Sequence, residues 1–290
     1  MHQVVVLTAT YNRKNTVLEL FGSLKEQKDK DFSWIIVDDG SDEETKQVLK
    51  EIEQTDAFEV RIIHKSNGGK SSAINMGFDS LEKNVEFVLI VDDDERLKAE
   101  AVGIVRKYVE KYRTSDCGVI HFNRIDEKGE IMAKPPILED FYRSFQQFRA
   151  EGRKADGYLG YFVRRLGENR FSIYPGEKYI APSTLIMKVT RSSKLLWAGA
   201  VIGETEYLAG GLTKQGRKLR IRNPKGMIEY CELIVEKDAG LKRRLIYSIQ
   251  GYAYAEFITE DRDKYTTKLI PLTKVMGKAL AMYWKKRYTN

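Results

Sequence analysis

The chain has 290 residues, of which 42% are hydrophobic; that is enough for a buried core in one large domain, or in one domain with an extension. Its formal charge is +7, a moderate basic excess that suits phosphate-bearing ligands, nucleic acid or an anionic surface. Two distant cysteines, Cys117 and Cys231, and three histidines argue against a zinc site and a disulfide framework, and point to a reducing cytoplasm.

The first residues run directly into a strand, so no signal peptide is expected, and no apolar run reaches membrane-spanning length. Residues 3–10 (QVVVLTAT) read as a buried strand ending in Tyr11, Asn12 and Arg13. Val17, Leu20, Phe21 and Leu24 recur at helical spacing. Residues 34–37 (WIIV) form a second buried strand, ending in Asp38-Asp39-Gly40-Ser41. Ser41 and Glu44 read as a capping box for a helix with Val48, Leu49 and Ile52 on its apolar face. Residues 60–64 (VRIIH) are a third strand, followed by Asn67-Gly68-Gly69-Lys70 and a helix carrying Ala73, Ile74, Gly77, Phe78 and Leu81. After the fourth strand, Ala101, Val102, Val105, Val109 and Tyr112 mark another helix, and residues 117–123 (CGVIHFN) a fifth strand. Such alternation predicts an α/β fold with a mostly parallel sheet flanked by helices.

The fourth strand carries the strongest chemical signal. Residues 86–97 read EFVLIVDDDERL: an apolar run that meets Asp92, Asp93, Asp94 and Glu95. Adjacent carboxylates repel one another unless a cation sits among them. Hard divalent ions such as Mn2+ and Mg2+ prefer oxygen ligands, usually one or two carboxylates completed by phosphates and water. Ligands of open α/β sheets bind beyond the carboxyl ends of the strands, where these acids fall. The plainer alternative is a solvated acidic turn before the next helix. Three strands end in candidate ligand groups: Thr8 and Tyr11, Asp38 and Asp39, Asp92 and Asp94. Parallel strands bring such ends to one rim.

Gly69-Lys70-Ser71 imitates the end of a P-loop, but the position that needs the earlier glycine is His64. No G-x-G-x-x-G follows the first strand, which argues against a dinucleotide fold. The remaining readings are a turn whose amides and Lys70 face a diphosphate at a helix N-terminus, or an ordinary strand–helix turn.

Together the pieces VVVLTATYNR, WIIVDDGSDE, NGGKSSAINMG and LIVDDDERL resemble the family 2 glycosyltransferases, which have the GT-A fold. They occur in that family's order over roughly the first 120 residues. Residues 201–213 (VIGETEYLAGGLT), with Arg222-Asn223-Pro224-Lys225-Gly226, look like bacterial members that build cell-surface polysaccharides. The resemblance implies an inverting, metal-dependent transferase using a nucleotide-sugar, most simply a UDP-sugar. It implies that Tyr11 lies against the uracil and Asp39 accepts from its ring. Thr8 and Lys70 would join the donor site. Asp92 would reach the ribose or sugar, and Asp94 would bind Mn2+ or Mg2+. Because Asp93 is also an acid, the ligating pair stays open between these residues. The implied acceptor is a hydroxyl of a saccharide or of a lipid-linked sugar.

From Asp126 the alternation stops, and residues 126–130 read as a hairpin turn. Residues 135–176 mix aromatic and charged side chains and are where an acceptor site would be built. Related bacterial enzymes often carry a carboxylate just before the helix that here begins near Ser183. This chain has Ala181-Pro182-Ser183 there, so the nearest acid, Glu177, is taken as general base, with Glu168, Glu139 and Asp156 as alternatives, and with a purely structural role for Glu177 as the plainer reading. Residues 224–235, 241–259 and 266–288 read as helices. The last is basic and amphipathic, suited either to a membrane interface or to packing on the domain. The expected division is a glycosyltransferase domain over 1–235, with a nucleotide-sugar half over 1–123 and an acceptor half over 124–235. A C-terminal helical extension over 236–290 follows. The expected place is the cytoplasm, at the inner face of the cell membrane if the acceptor is lipid-linked. Two other classes compete with this reading, a nucleotidyltransferase and a non-enzymatic nucleic-acid- or partner-binding protein. A nucleotidyltransferase would need a glycine-rich basic loop after the first strand, where Thr8-Ala9-Thr10-Tyr11-Asn12 has none. No nucleic-acid-binding motif is visible.

Overall fold

A computed structural model describes residues 1–204, 212–237 and 240–288. The chain divides into two compact units. The first comprises Met1–Ser144, Arg153–Asn169 and Val189–Leu208; the second comprises Phe145–Gly152, Arg170–Lys188 and Ala209–Asn290. The division expected after residue 235 falls inside the second unit, because the helix Pro224–Lys237 shares a core with the helices that follow it.

In the first unit, β1 (Val4–Thr10), β2 (Ser33–Asp38), β3 (Glu59–His64) and β4 (Phe87–Ile90) alternate with α1 (Lys14–Lys25), α2 (Glu43–Glu53) and α3 (Lys70–Asp79). Next come β5 (Arg96–Leu97), α4 (Ala101–Tyr112) and β6 (Cys117–Ile125). The short β7 (Ala133–Lys134), β8 (Phe141–Tyr142) and β9 (Lys154–Ala155) precede the long β10 (Gly157–Phe162) and β11 (Lys194–Glu204). The sheet order is β3-β2-β1-β4-β10-β6-β11-β5, with β8 also on β11, and β7 pairs separately with β9. β1 is parallel to β2 and β4, and β6 to β11. β10 is antiparallel to both β4 and β6.

The apolar runs of β1 and β2 are buried because helices cover both faces; Val5, Val6, Leu7, Ile35, Ile36 and Val37 are fully inaccessible. β3 is the edge strand, and its side chains are half-exposed. A Cβ on Gly77 would lie 2.3 Å from Leu7 Cδ1, so the missing side chain lets α3 settle on β1. β10 had no strand signal because Gly157 and Gly160 interrupt it. The structure explains the second: a Cβ there would lie 2.1 Å from Phe87 Cζ, so the glycine makes room for that ring. The expected turn at 126–130 is present. Asp126 N–H donates to the Glu130 carbonyl at 3.0 Å, and Gly129 takes φ +77°. The α2 cap lies one residue later than expected. Asp42 accepts from Thr45 N–H at 2.9 Å, while Ser41 Oγ accepts from Asn12 N–H at 2.9 Å.

In the second unit the helices Pro224–Lys237, Leu241–Ala255 and Lys274–Tyr288 enclose Cys231, Tyr254 and Trp284. The last helix starts at Lys274 rather than 266. Pro271 lacks the N–H that a helix interior needs, and it opens a short 3-10 turn that feeds the helix. Among the described residues no helix is long and apolar enough to cross a membrane.

Candidate active site

Register brings the three strand ends together. Thr10 of β1 pairs with Asp38 of β2, and Leu7 of β1 with Ile90 of β4. Asp39 and Asp92–Glu95 follow directly on these strands, so they share one rim. β10 enters the sheet at that rim because it runs antiparallel, which brings Asp156 there too.

Asp39 is almost fully buried. Its Oδ1 accepts from Gly68 N–H at 2.9 Å and from Lys65 Nζ at 2.6 Å; its Oδ2 accepts from Gly69 N–H at 2.7 Å. Gly40 has φ +82°, and a Cβ there would lie 2.8 Å from Asn67 N. The glycines therefore fold the 67–69 turn around one carboxylate. Two amides of that turn, expected to face a diphosphate, instead hold Asp39 in place.

The acidic run leaves the strand in a turn, closed where Glu95 N–H donates to the Asp92 carbonyl at 3.1 Å, and its side chains alternate in exposure. The side chains of Asp92 and Asp94 are 36% and 26% exposed, against 9% and 8% for Asp93 and Glu95. Asp93 turns inward and accepts from Thr10 Oγ1 at 2.7 Å; burial pushes its carboxyl up to about 6. Glu95 also turns inward. It accepts from Asp92 N–H at 3.1 Å and pairs with Arg124, which reaches on to Asp156 at 2.5 Å. Burial, with the Asp92 charge beside it, pushes Glu95 up to about 8.

The two open acids carry cations of the chain itself. Lys70 Nζ sits 2.5 Å from Asp92, and Arg13 donates to Asp94 at 2.6 Å and lies 3.4 Å from Asp93. Burial alone would raise Asp92, but Lys70 outweighs it and holds the carboxyl below its ordinary value. Among the described residues no group of three or more acids, histidines or cysteines is arranged to hold a metal. Two open carboxylates with hard oxygen donors fit an Mn2+ or Mg2+ ion that takes its other ligands from phosphates and water.

The other expected site residues fare differently. Tyr11 stands at the rim with about half of its surface exposed. Thr8 is fully buried, and its Oγ1 accepts from the Trp34 indole N–H at 3.0 Å; its side chain faces the core, not the rim. Glu177 belongs to the second unit. Its two oxygens accept from Lys225 N–H at 2.7 Å and Gly226 N–H at 2.9 Å, capping the first turn of the Pro224–Lys237 helix. This occupies the carboxylate with a structural task. Arg13, Lys65 and Arg124 were not anticipated. The signal available was charge balance: four adjacent acids at a strand end require nearby cations. Glu204 closes β11 at the same rim, paired with Arg96 of β5, and is exposed. The remainder of the 201–213 segment, Thr205–Gly211, lies outside the described residues, as do the side chains of 212–215.

Residues 5–167 match the family described as Glycosyl transferase family 2. An uncharacterized glycosyltransferase of Mycoplasma genitalium, MG060, is 29% identical over 111 residues, 37% of either chain. The poly(ribitol-phosphate) β-N-acetylglucosaminyltransferase TarS of Staphylococcus aureus is 26% identical over 131 residues, 44% of this chain and 22% of TarS. The chain thus spans well under half the length of these relatives. The crystal structure of TarS residues 1–349 with UDP has a TM-score of 0.68 at 16% identity, covering 98% of this chain and 88% of that one. The mannosyltransferase PcManGT of Pyrobaculum calidifontis, with GDP-Man and Mn2+, has a TM-score of 0.57 at 15% identity, covering 99% and 82%. The fold is that of the GT-A glycosyltransferases.

Proposed function

The chain belongs to glycosyl transferase family 2, and we propose that it moves a sugar from a UDP-sugar to a hydroxyl of a saccharide or lipid-linked acceptor in cell-surface polysaccharide synthesis. The reaction inverts the anomeric centre and uses Mn2+ or Mg2+. The observation that carries this reading is the pair of outward-turned carboxylates, Asp92 and Asp94, on the rim that also bears Asp39 and Tyr11. UDP as the nucleotide is supported by the TarS complex, and a divalent ion by the PcManGT complex.

In this reading the exposed Tyr11 ring stacks on the uracil, and Asp39, immobilised by two backbone amides, accepts from the ring N–H. Asp94 holds the cation and Asp92 reaches the ribose or the sugar. The bound ion supplies Lewis-acid stabilisation of the diphosphate that leaves. Lys70 and Arg13, each now on a carboxylate, are the chain's own cations placed to turn onto that diphosphate once a donor arrives. Arg124 and Glu95 form the buried pair behind the rim and position the acidic run. Inversion by one direct displacement needs a single base that takes the proton of the acceptor hydroxyl. Glu177 is committed to a helix cap, so we assign the base to Glu204, an exposed carboxylate on the sheet rim, with Asp156 as the alternative. A lipid-linked acceptor sets the work at the inner face of the cell membrane.

Thermal shift and donor hydrolysis test the reading together. UDP is expected to raise the melting temperature only with Mn2+ or Mg2+ present, and a UDP-sugar screen to give metal-dependent hydrolysis. Undiminished hydrolysis by a folded Asp94→Asn protein ends the proposal.

A further inference from the structure

The formal charge of the protein is not spread along it. Seven cations lie between Lys264 and Arg287 with no acid among them, so the preceding 263 residues hold 42 cations against 42 acids. The whole excess of +7 therefore sits in the final helix and the turn that leads into it.

That helix, Lys274–Tyr288, has two unlike faces. On one, Gly277, Ala281 and Trp284 are buried. A Cβ on Gly277 would meet Tyr252 Cβ at 2.4 Å, so the helix lies tightly on Leu241–Ala255. Trp284 stacks obliquely on Tyr254 at 4.9 Å, with the Arg217 guanidinium 4.3 Å from the indole. This side anchors the helix in the core of the second unit.

The other face is apolar and uncovered. Leu272 is 88% exposed, Val275 78%, Met282 67%, Met276 59% and Tyr283 51%. At 100° per residue the four on the helix, Val275, Met276, Met282 and Tyr283, fall within an arc of about 120°, and at 1.5 Å per residue they extend for about 12 Å; Leu272 precedes them in the 3-10 turn. Lys274, Lys278 and Lys285 run along one border of this stripe, Arg287 stands at the other, and Lys286 closes its end. Lys274 lies 3.3 Å from Asp263, Lys285 lies over the Phe257 ring, and Arg287 donates to Tyr283 Oη at 2.6 Å. Soluble surfaces rarely expose a contiguous apolar stripe of this kind without a use for it.

We propose that this stripe docks on an anionic lipid bilayer, with Leu272, Val275, Met276, Met282 and Tyr283 entering the acyl boundary and the bordering lysines meeting lipid phosphates. Charge complementarity selects that occupant. Five cations around the apolar stripe, in a segment that carries no acid of its own, match a negative sheet of headgroups. The helix is too short and too polar to cross the bilayer, so it lies on it. This deepens the inner-face reading given above. Its test uses no sugar donor, so its failure leaves the sugar-transfer reading untouched.

The test is vesicle flotation of the full chain with phosphatidylcholine alone and with phosphatidylcholine plus phosphatidylglycerol, at low and high salt. Binding is expected only with phosphatidylglycerol, and it should weaken at high salt. Lys278→Gln with Lys286→Gln removes two charges and should weaken it about twenty-fivefold, at about fivefold per unit of charge near the surface. Val275→Ser with Met282→Ser leaves the charge unchanged and should weaken it about tenfold or more. Both pairs lie off the anchored face, so their melting temperatures should match the parent. Equal binding to both vesicle types, or no loss in either variant, overturns the proposal. So does a concentration-dependent dimer abolished by the serine pair without vesicle binding, which would make a second copy the occupant.

Discussion

Replacing Arg13 with Gln is expected to tighten metal binding while slowing the enzyme. Arg13 stands 2.6 Å from Asp94 and 3.4 Å from Asp93, so a cation arriving at Asp94 must first displace a guanidinium. Two unit charges about 4 Å apart attract by about 4 kcal/mol at an effective dielectric of about 20. Here the arginine and Asp94 side chains are 32% and 26% exposed, and water and salt screen them. Measured pairs of that exposure contribute about 1 kcal/mol. Removing the pair should then strengthen Mn2+ binding to the donor-free protein about fivefold. The gain should shrink as salt rises, because screening already weakens the pair. With donor present the same substitution removes a positive charge from the leaving diphosphate, so transfer should fall about tenfold or more. Free Mn2+ followed by electron paramagnetic resonance during titration reads the first effect, and UDP release reads the second. Unchanged or weaker Mn2+ binding by a folded Arg13→Gln protein would show that Arg13 does not guard the metal position, and the reasoning would fail.

His121 is buried with no hydrogen-bond partner among the described residues on either ring nitrogen, and burial pushes it down to about 4. Its neutral form is the one the fold tolerates, so stability is full above about pH 6.5, the unfolded value, and is lost as pH falls toward 4. The loss from pH 7.5 to pH 5 should be about 2 kcal/mol, read from urea midpoints, and His121→Phe should remove that share of the pH dependence. Glu177→Gln should lower the melting temperature through a cap loss of about 1 kcal/mol and leave transfer nearly intact. Glu204→Gln should do the reverse, with transfer down about 100-fold or more. The opposite pattern would return the base to Glu177. Asp93→Asn keeps an oxygen for Thr10 and should cost donor hydrolysis far less than Asp94→Asn; equal losses in steady-state assays would contradict the inward orientation of Asp93. Gly160→Ala should destabilise by about 1–3 kcal/mol in urea unfolding, because the added methyl meets the Phe87 ring.

The sequence by itself determined the mostly parallel sheet, the alternation of β1 to β4 and β6 with α1 to α4, and the acidic end of β4, but not the two-residue β5. Strands buried on both faces must be nearly continuous runs of apolar residues, and such runs end where ligands bind. The family pieces lie in the same region, since they are the strand ends themselves. Side-chain direction and partnership were decided only by tertiary structure. Thr8 faces the core because its place on the pleat points at Trp34, whatever its distance from the rim in sequence. Asp92 and Asp94 open outward while Asp93 closes on Thr10, which lies 83 positions earlier, and Arg13 comes from 81 positions before Asp94. Glu177 became a cap because the Lys225 amide it accepts from lies 48 residues later. β10 carries no strand pattern because Gly160 gives way to the Phe87 ring on β4 and Gly157 to the Phe122 carbonyl on β6. A carboxylate's role follows from the charges and amides that surround it, and in this fold those come from parts of the chain that only folding brings together.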